Sequence, residues 1–307
     1  MINRSSLPTL VKREIIKGFT GTYDAYPTNF LKFFDNENSS GQSERYKEIV
    51  GFGRHKEKME SAQAELDNVT EGPATLIYNK SYALAYQISY EMISDNEYPQ
   101  ILRDVMDMGR SAAETRESVV IDRLNTAFSS ATANLLADGK ALCATDHPIY
   151  KPALDGSVSN SNRPVVASSL SEASLTIDLN NIAKFKSPAG LTINTKAEML
   201  IVPVELDIRA QKLLFTDLSV GNANNDINPM ARNRGRLPGG YLVSQFLTDT
   251  DAYFIRTNHR GLVYQEREGR RIMEDMLNRQ VAQEFVSYMR FGVGAYDHRS
   301  IYGNPGF

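Results

Sequence analysis

Between Leu76 and Met92 bulky apolar side chains recur at every second position: Leu76, Tyr78, Tyr82, Leu84, Tyr86, Ile88, Tyr90 and Met92, with Lys80 as the one interruption. Asn79, Ser81, Ala83, Ala85, Gln87, Ser89 and Glu91 fill the positions between. Neighbouring side chains of an extended strand point to opposite faces, so this period of two predicts a β-strand with one bulky, buried face. Strands commonly run about 5–6 residues, and this one is far longer. The stretch 45–52, ending in Phe52, is a partner upstream. The segment between them, 54–72, is dense in charge, with Arg54, Lys56, Glu57, Lys58, Glu60, Glu65, Asp67 and Glu71. Together they predict a long hairpin with a solvated tip. An isolated two-stranded ribbon is marginal in water and its open edges invite pairing. The expected partner is therefore a neighbouring copy, and the chain is expected to be an obligate oligomer.

The flanking segments are more ordinary. Leu7, Leu10, Val11, Ile15 and Phe19 fall near helical spacing, with Pro8 where a first turn tolerates it. From 20 to 43, Tyr23, Tyr26, Phe30, Phe33 and Phe34 stand among Gly, Pro, Asn and Ser. This predicts an arm whose aromatics need a docking surface, one that another subunit can supply. Residues 97–130 predict one long helix: Ile101, Val105, Met108, Ala112, Val119, Val120, Leu124, Ala127 and Phe128 form a stripe, and Arg103, Arg110, Glu114, Arg116, Glu117 and Arg123 lie mostly off it. At 1.5 Å per residue that is a rod on the order of 45 Å.

Residues 135–165 read as loops. Ser171 is an N-cap for a helix to about Lys186, followed by an apolar strand over 198–202, a break at Pro203 and a short amphipathic helix to Phe215. A polar loop over 222–238 carries Arg232, Arg234 and Arg236, and strands are predicted over 241–246, 252–256 and 281–291. The rest of the tail from Gly261 is ambiguous, and no internal repeat is present.

At 307 residues and 41% hydrophobic content, the chain is a folded protein of two domains or of one body with extensions. One cysteine, Cys143, excludes an intramolecular disulfide framework and fits a reducing cytoplasm. No run approaches the roughly 20 apolar residues that span a bilayer. The first residues, with Arg4, Lys12 and Arg13, lack the apolar core of a signal peptide. A net charge of -3 argues against a dedicated nucleic-acid binder, which needs a basic face.

The order of hairpin, long helix, compact α/β segment and returning strands resembles the Hong Kong 97 fold of tailed-phage capsid proteins. More specific wording comes from Leu142-Cys143-Ala144-Thr145-Asp146-His147-Pro148 after Gly139, Leu200-Ile201-Val202-Pro203 leading to Ala210 and Leu213-Leu214, Asp251-Ala252-Tyr253, and Gly292-Val293-Gly294 with Asp297 and Arg299. In this order the series is similar to the Mu-like major head subunit family. A bulkier aromatic often stands there in place of Cys143, and the stretch 274–280 departs from the pattern.

The resemblance implies an α+β fold with an N-terminal arm (1–43), an extended loop (44–94), a spine helix (95–134), connecting loops (135–169), an axial domain (170–260) and return strands with the C-terminal tail (261–307). It implies hexamers and pentamers enclosing phage double-stranded DNA in an icosahedral virion shell, assembled in the host cytoplasm. Each extended loop would lie over a neighbour's spine helix, the 222–240 loop would be a candidate for the capsomer centre, and the shell would mature by expansion. The implied partners are other copies, a scaffolding protein, portal and decoration proteins, and packaged DNA through weak non-specific contact, with no membrane. No long charged leader precedes the arm, so the scaffold is expected to be a separate protein. The expected inter-subunit residues are Tyr23, Tyr26, Phe30, Tyr46, Phe52, Arg54, Lys56, Lys58, Tyr78, Tyr82, Arg110, Arg116, Arg232, Arg234 and Arg236.

Two rival readings stand beside this one: a bacterial nanocompartment shell of encapsulin type with the same fold, and a cytosolic hydrolase using Cys143 with His147. Neighbours in one loop rarely present the geometry of a catalytic triad. Cys143, Asp146 and His147 are therefore expected to form a turn in which Asp146 and His147 bond the backbone ahead of Pro148. His55, His147, His259 and His298 are dispersed, so no metal or cofactor site is expected. Gly239-Gly240 after Pro238 lacks the lysine of a phosphate loop. Lys56 and Lys58 carry no expectation of isopeptide cross-linking. The tyrosine stripe lacks the interleaved basic residues of a base-stacking platform and is expected to pack an interface.

Overall fold

The computed structural model describes residues 9–307 except 62, 90, 93–94, 96, 132–133, 152, 155, 219–226, 232–234 and 278–281. Helix α1 (Thr9–Ala25) and the long α2 (Tyr98–Asn125) lie against each other. They are brought together at a residue the apolar stripe passes over: a Cβ on Gly109 would meet the backbone oxygen of Phe19 at 2.7 Å. Without a side chain there, Ile15 and Phe19 sink into the face formed by Ile101, Val105, Met108 and Ala112. Each such buried side chain contributes about 1.5–3 kcal/mol.

The body sheet has the order β1 (Asp35–Asn38), β10 (Leu262–Leu277), β11 (Ala282–Ala295), β4 (Lys80–Ser89). β10 and β11 form a long antiparallel pair with register shifts between Glu266 and Arg271, and β1 joins β10 in parallel. A short antiparallel pair, β5 (His147–Pro148) with β6 (Ser159–Asn160), precedes a second sheet that runs β12 (Ile301–Asn304), β9 (Tyr253–Thr257), β7 (Ala197–Pro203), β8 (Tyr241–Ser244). Its two faces are both covered, which is why β7 and β9 read as continuous apolar runs. Ile201, Leu242, Phe254 and Ile301 face the core beneath α2. Leu200, Val202, Tyr253, Ile255 and Tyr302 face a second core with α3 (Glu172–Ala183) and α4 (Asp207–Phe215). Ser171 caps α3 through a reciprocal capping box with Ser174.

The alternating run is corrected by this topology: it is two strands. β3 (Thr70–Tyr78) pairs with β2 (Ser43–Val50) as the hairpin, Arg45 opposite Leu76, whereas β4 pairs with β11 of the same chain, Ala85 opposite Val286. The division falls at buried Asn79, whose Nδ2 donates to Ser39 Oγ (2.7 Å) and to the Gly41 carbonyl (2.9 Å). Half of the ribbon therefore finds its partner on its own chain, contrary to the expectation from its length. Tyr90, at the end of the run, lies outside the described residues.

The arm is corrected as well. Tyr23, Phe30, Phe33 and Phe34 are buried in the core of their own subunit, with Phe30 against Tyr264 at 4.9 Å between ring centroids. The tail beyond Gly261, ambiguous in sequence, is the β10–β11 ribbon. β10 escapes recognition because Arg267, Glu268, Arg270, Arg271, Glu274 and Asp275 break its apolar alternation where the strand is exposed.

Glu117 sits on the buried stripe of α2, off which the helical spacing placed it. Its Oε1 accepts hydrogen bonds from the backbone N–H groups of Asn29 and Phe30, each at 3.1 Å, and burial raises its pKa above the ordinary value. It pins the start of the 30–32 turn, so Phe30 enters the core at a fixed angle. Glu117→Ala orphans both donors, at about 1–3 kcal/mol for each buried group left unmet. The expected loss is about 2–4 kcal/mol in chemical denaturation, and Glu117→Gln, which keeps the accepting oxygen, loses much less.

Candidate assembly surfaces

The hairpin root is fixed to the body by groups from three directions. Lys151 Nζ donates to the Gly51 carbonyl (2.9 Å), Asp67 Oδ1 (2.6 Å) and the Asn68 carbonyl (3.0 Å), drawing the two strand ends together. Asp67 Oδ2 also accepts from the Gly53 N–H, and these bonds together hold its carboxyl below the ordinary pKa. Arg299 reaches Glu48 at 2.9 Å and Asp297 at 2.8 Å, two ion pairs whose three side chains are all largely buried. Tyr46 donates to Glu37 Oε2 (2.6 Å), accepts from Gln265 and stacks flat on Tyr296 at 4.7 Å.

Gly292-Val293-Gly294 now has a physical reading. A Cβ on Gly294 would meet Ile77 Cδ1 at 2.5 Å, and one on Gly292 would meet Asn79 Oδ1 at 2.8 Å. The two bare positions of β11 are the seat on which the hairpin root lies, and Ile77 is buried there.

Beyond the root Phe52 is 59% exposed and Leu66 94%; within the root the side turned away from the Gly292–Gly294 seat is open, with Leu76 50% and Tyr78 57% exposed, and the even-numbered face of β4 is open at Leu84. Downstream that face is covered: Tyr86 donates to Asp104 Oδ2 of α2 at 2.6 Å, and Ile88 is buried. Arg54, Lys56 and Lys58 are exposed at the tip, with Lys56 paired to Glu65 at 2.7 Å. Arg110 is exposed on α2 beside Asp107, and Arg236 is exposed in its loop. Arg232 and Arg234 lie outside the described residues.

Several expected interface residues serve the subunit itself, and Tyr23 and Phe30 are joined in this by four more. Arg116 lies over the ring of Tyr23 (4.6 Å) and donates to Thr28 (3.0 Å). Tyr82 stacks on Phe291 at 4.6 Å, and Tyr46 is held as above. Tyr26 is half-buried and packs on the edge of the same core. Sequence spacing marks a side chain as bulky and sided, and it cannot say whose surface covers it.

The residues of the cysteine loop are taken up by contacts within the fold. Cys143 is buried against Gly303, and burial pushes its thiol up to about 12 although Arg163 and Arg123 favour the thiolate. Asp146 pairs with Lys140. His147 does not bond the backbone as expected: Nδ1 lies 2.7 Å from Asp138 Oδ2, Nε2 lies 3.1 Å from Asn162 Oδ1, and the ring stacks on His298. Asn162 donates to the carbonyls of Leu142, His298 and Ile301. The loop is thus a structural knot between the two sheets.

A closed double core, a long helix and an anchored but uncovered hairpin define a capsid-type α+β subunit. The same fold is present in a virus-like particle from Pyrococcus furiosus (TM-score 0.57, 14% identity, 95% of this chain and 98% of that chain). It is also present in the bacteriophage JBD30 capsid (0.50, 14%, 92% and 68%) and in Mycobacterium phage Patience (0.53, 12%, 96% and 86%). A comparison with curated protein sequences finds no match. The model of the phage capsid protein family matches residues 74–304, and the chain belongs to that family. It is a phage capsid protein.

Two outcomes test the site. Gly294→Ala collides with Ile77 and is expected to cost about 1–3 kcal/mol, as overpacking does. In a denaturation double-mutant cycle, Ile77→Ala on the same chain recovers part of that loss. Cys143 is expected to resist alkylation by iodoacetamide at pH 8 in the native protein and to react fully once the protein is unfolded, as mass spectrometry reads directly.

Proposed function

We propose that this chain forms hexamers and pentamers of an icosahedral head around double-stranded DNA, and that the β2–β3 hairpin laid on an adjacent subunit is the main element of assembly. The observation that carries this reading is a contrast within one hairpin. Its root is held by Lys151, Arg299, Tyr46 and the Gly292–Gly294 seat, while Phe52, Leu66, Leu76 and Tyr78 meet water. An anchored ribbon with an uncovered apolar face is costly for a lone molecule and suited to one that meets copies of itself.

In Hong Kong 97 terms, α2 is the spine helix, the second core with α3 and α4 is the axial domain, and β10–β11 are the return strands. The extended loop narrows to residues 43–78, because β4 is part of the body sheet. α1 and the 26–34 turn are the arm, folded here onto its own subunit. The exposed residues Arg54, Lys56, Lys58, Arg110 and Arg236 are the polar rim of the subunit contacts, and the 222–240 loop is the candidate for the capsomer centre. Scaffolding, portal and decoration proteins are the further partners this reading brings, and contact with DNA is weak and non-specific in a chain of net charge -3.

Replacing residues 54–66 by a short Gly–Ser linker leaves every root contact named above intact. The expected product has the parent's circular dichroism and melting temperature but yields no closed shells by negative-stain electron microscopy. Normal shells from this variant contradict the reading.

A further inference from the structure

Behind the hairpin root lies a buried titratable cluster to which shell building assigns nothing. Asp138, His147 and His298 bring ligand-type atoms within 4.8 Å of one another. The geometry opposes a metal. The imidazoles are 4.0 Å apart and 6° from parallel, so their in-plane lone pairs run side by side and do not converge on one ion. Both nitrogens of His147 are also engaged, by Asp138 and by an Asn162 amide whose orientation three carbonyls fix.

The same geometry is sensitive to protons. His298 Nε2 is buried without a hydrogen-bond partner, and its Nδ1 stands 4.0 Å from Asp297 Oδ1, beyond hydrogen-bond length. A proton on this ring would place a buried cation against a second imidazole and next to Arg299, with no acceptor at Nε2. The acids around it are committed elsewhere: Asp138 to His147, and Asp297 and Glu48 to Arg299. Among the described residues Tyr150, which feels the charges of Glu48 and Asp138, and His259, whose Nε2 contacts Thr195 Oγ1, are further titratable groups nearby. Neither supplies an acceptor.

We propose that the His147–His298 stack is an acid-sensitive latch on the hairpin root: protonation of His298 parts the stack, displaces the 297–301 turn and draws Arg299 away from Glu48. The turn is the mechanical link, since His298 and Arg299 are adjacent in it and Asn162 holds it by the His298 and Ile301 carbonyls. Burial, His147 and Arg299 hold the His298 pKa well below its ordinary 6.5. The folded state therefore favours the neutral ring. The stability this contributes is fully present above pH 6.5 and is lost as the pH falls below that value, by up to about tenfold in the equilibrium per pH unit for one proton.

The experiment is hydrogen–deuterium exchange on the full-length protein at pH 7.5 and 5.5, corrected for intrinsic exchange, following peptides that cover 43–50 and 70–78. The parent is expected to lose protection at the root by up to about tenfold per pH unit below 6.5. His298→Phe, which keeps a flat ring on His147 but cannot titrate, is expected to show equal protection at both pH values. Should that variant not fold, His298→Gln removes the titrating ring and carries the same comparison. A parent root equally protected at both pH values, or a non-titrating variant with the parent's pH response, overturns the latch.

Discussion

The buried amide of Asn79 divides one alternating run between two sheets, and the rest of the molecule is arranged around that division. Upstream of it β3 can leave the body with β2, and downstream β4 is committed to β11. The pivot is rigid because the Asn79 side chain is bonded to Ser39 and Gly41, its backbone N–H donates to Gln42, and glycine at 292 lets the chain pass close by. A hairpin rooted in this way keeps a set direction. Its apolar face is then presented repeatedly in the same place, and modest contacts multiplied by symmetry suffice to close a shell.

Much of this was legible in the residues, for reasons that can be named. The period of two marked β3 and β4 as strands without showing the division between them at Asn79, and the stripe through Ile101, Val105, Met108 and Leu124 marked α2, because a local repeat is visible in the residues themselves. Ser171 marked the start of α3 through the chemistry of an N-cap. What stayed hidden depends on contacts distant in sequence. Glu117 reads as a solvated charge until Asn29 and Phe30 arrive at its carboxylate. Gly109 and Gly294 read as helix and strand weaknesses until Phe19 and Ile77 occupy the space they leave. The arm aromatics were legible as needing a surface, and nothing local distinguishes a subunit's own α2 from a neighbour's.

The interface residues divide along the same line. Tyr46, Tyr82 and Arg116 carry rings or cationic groups that pair well, and the fold uses them internally. Phe52, Leu66, Leu76 and Tyr78 are left outside because the hairpin has only one face on the body. The Cys143 loop followed a third logic. Its polar residues resemble a reactive cluster in one dimension, yet in three they form a knot of hydrogen bonds among Asp138, His147, Asn162 and the 297–301 turn.

The account rests on adjacent copies covering what a single subunit leaves bare. A cryo-electron microscopy map of assembled particles tests this most directly. The account predicts density for residues 51–69 against the surface of the next subunit, with Leu76 and Tyr78 removed from solvent. A map in which the hairpin contacts only its own chain, or extends unsupported from an otherwise closed shell, contradicts it.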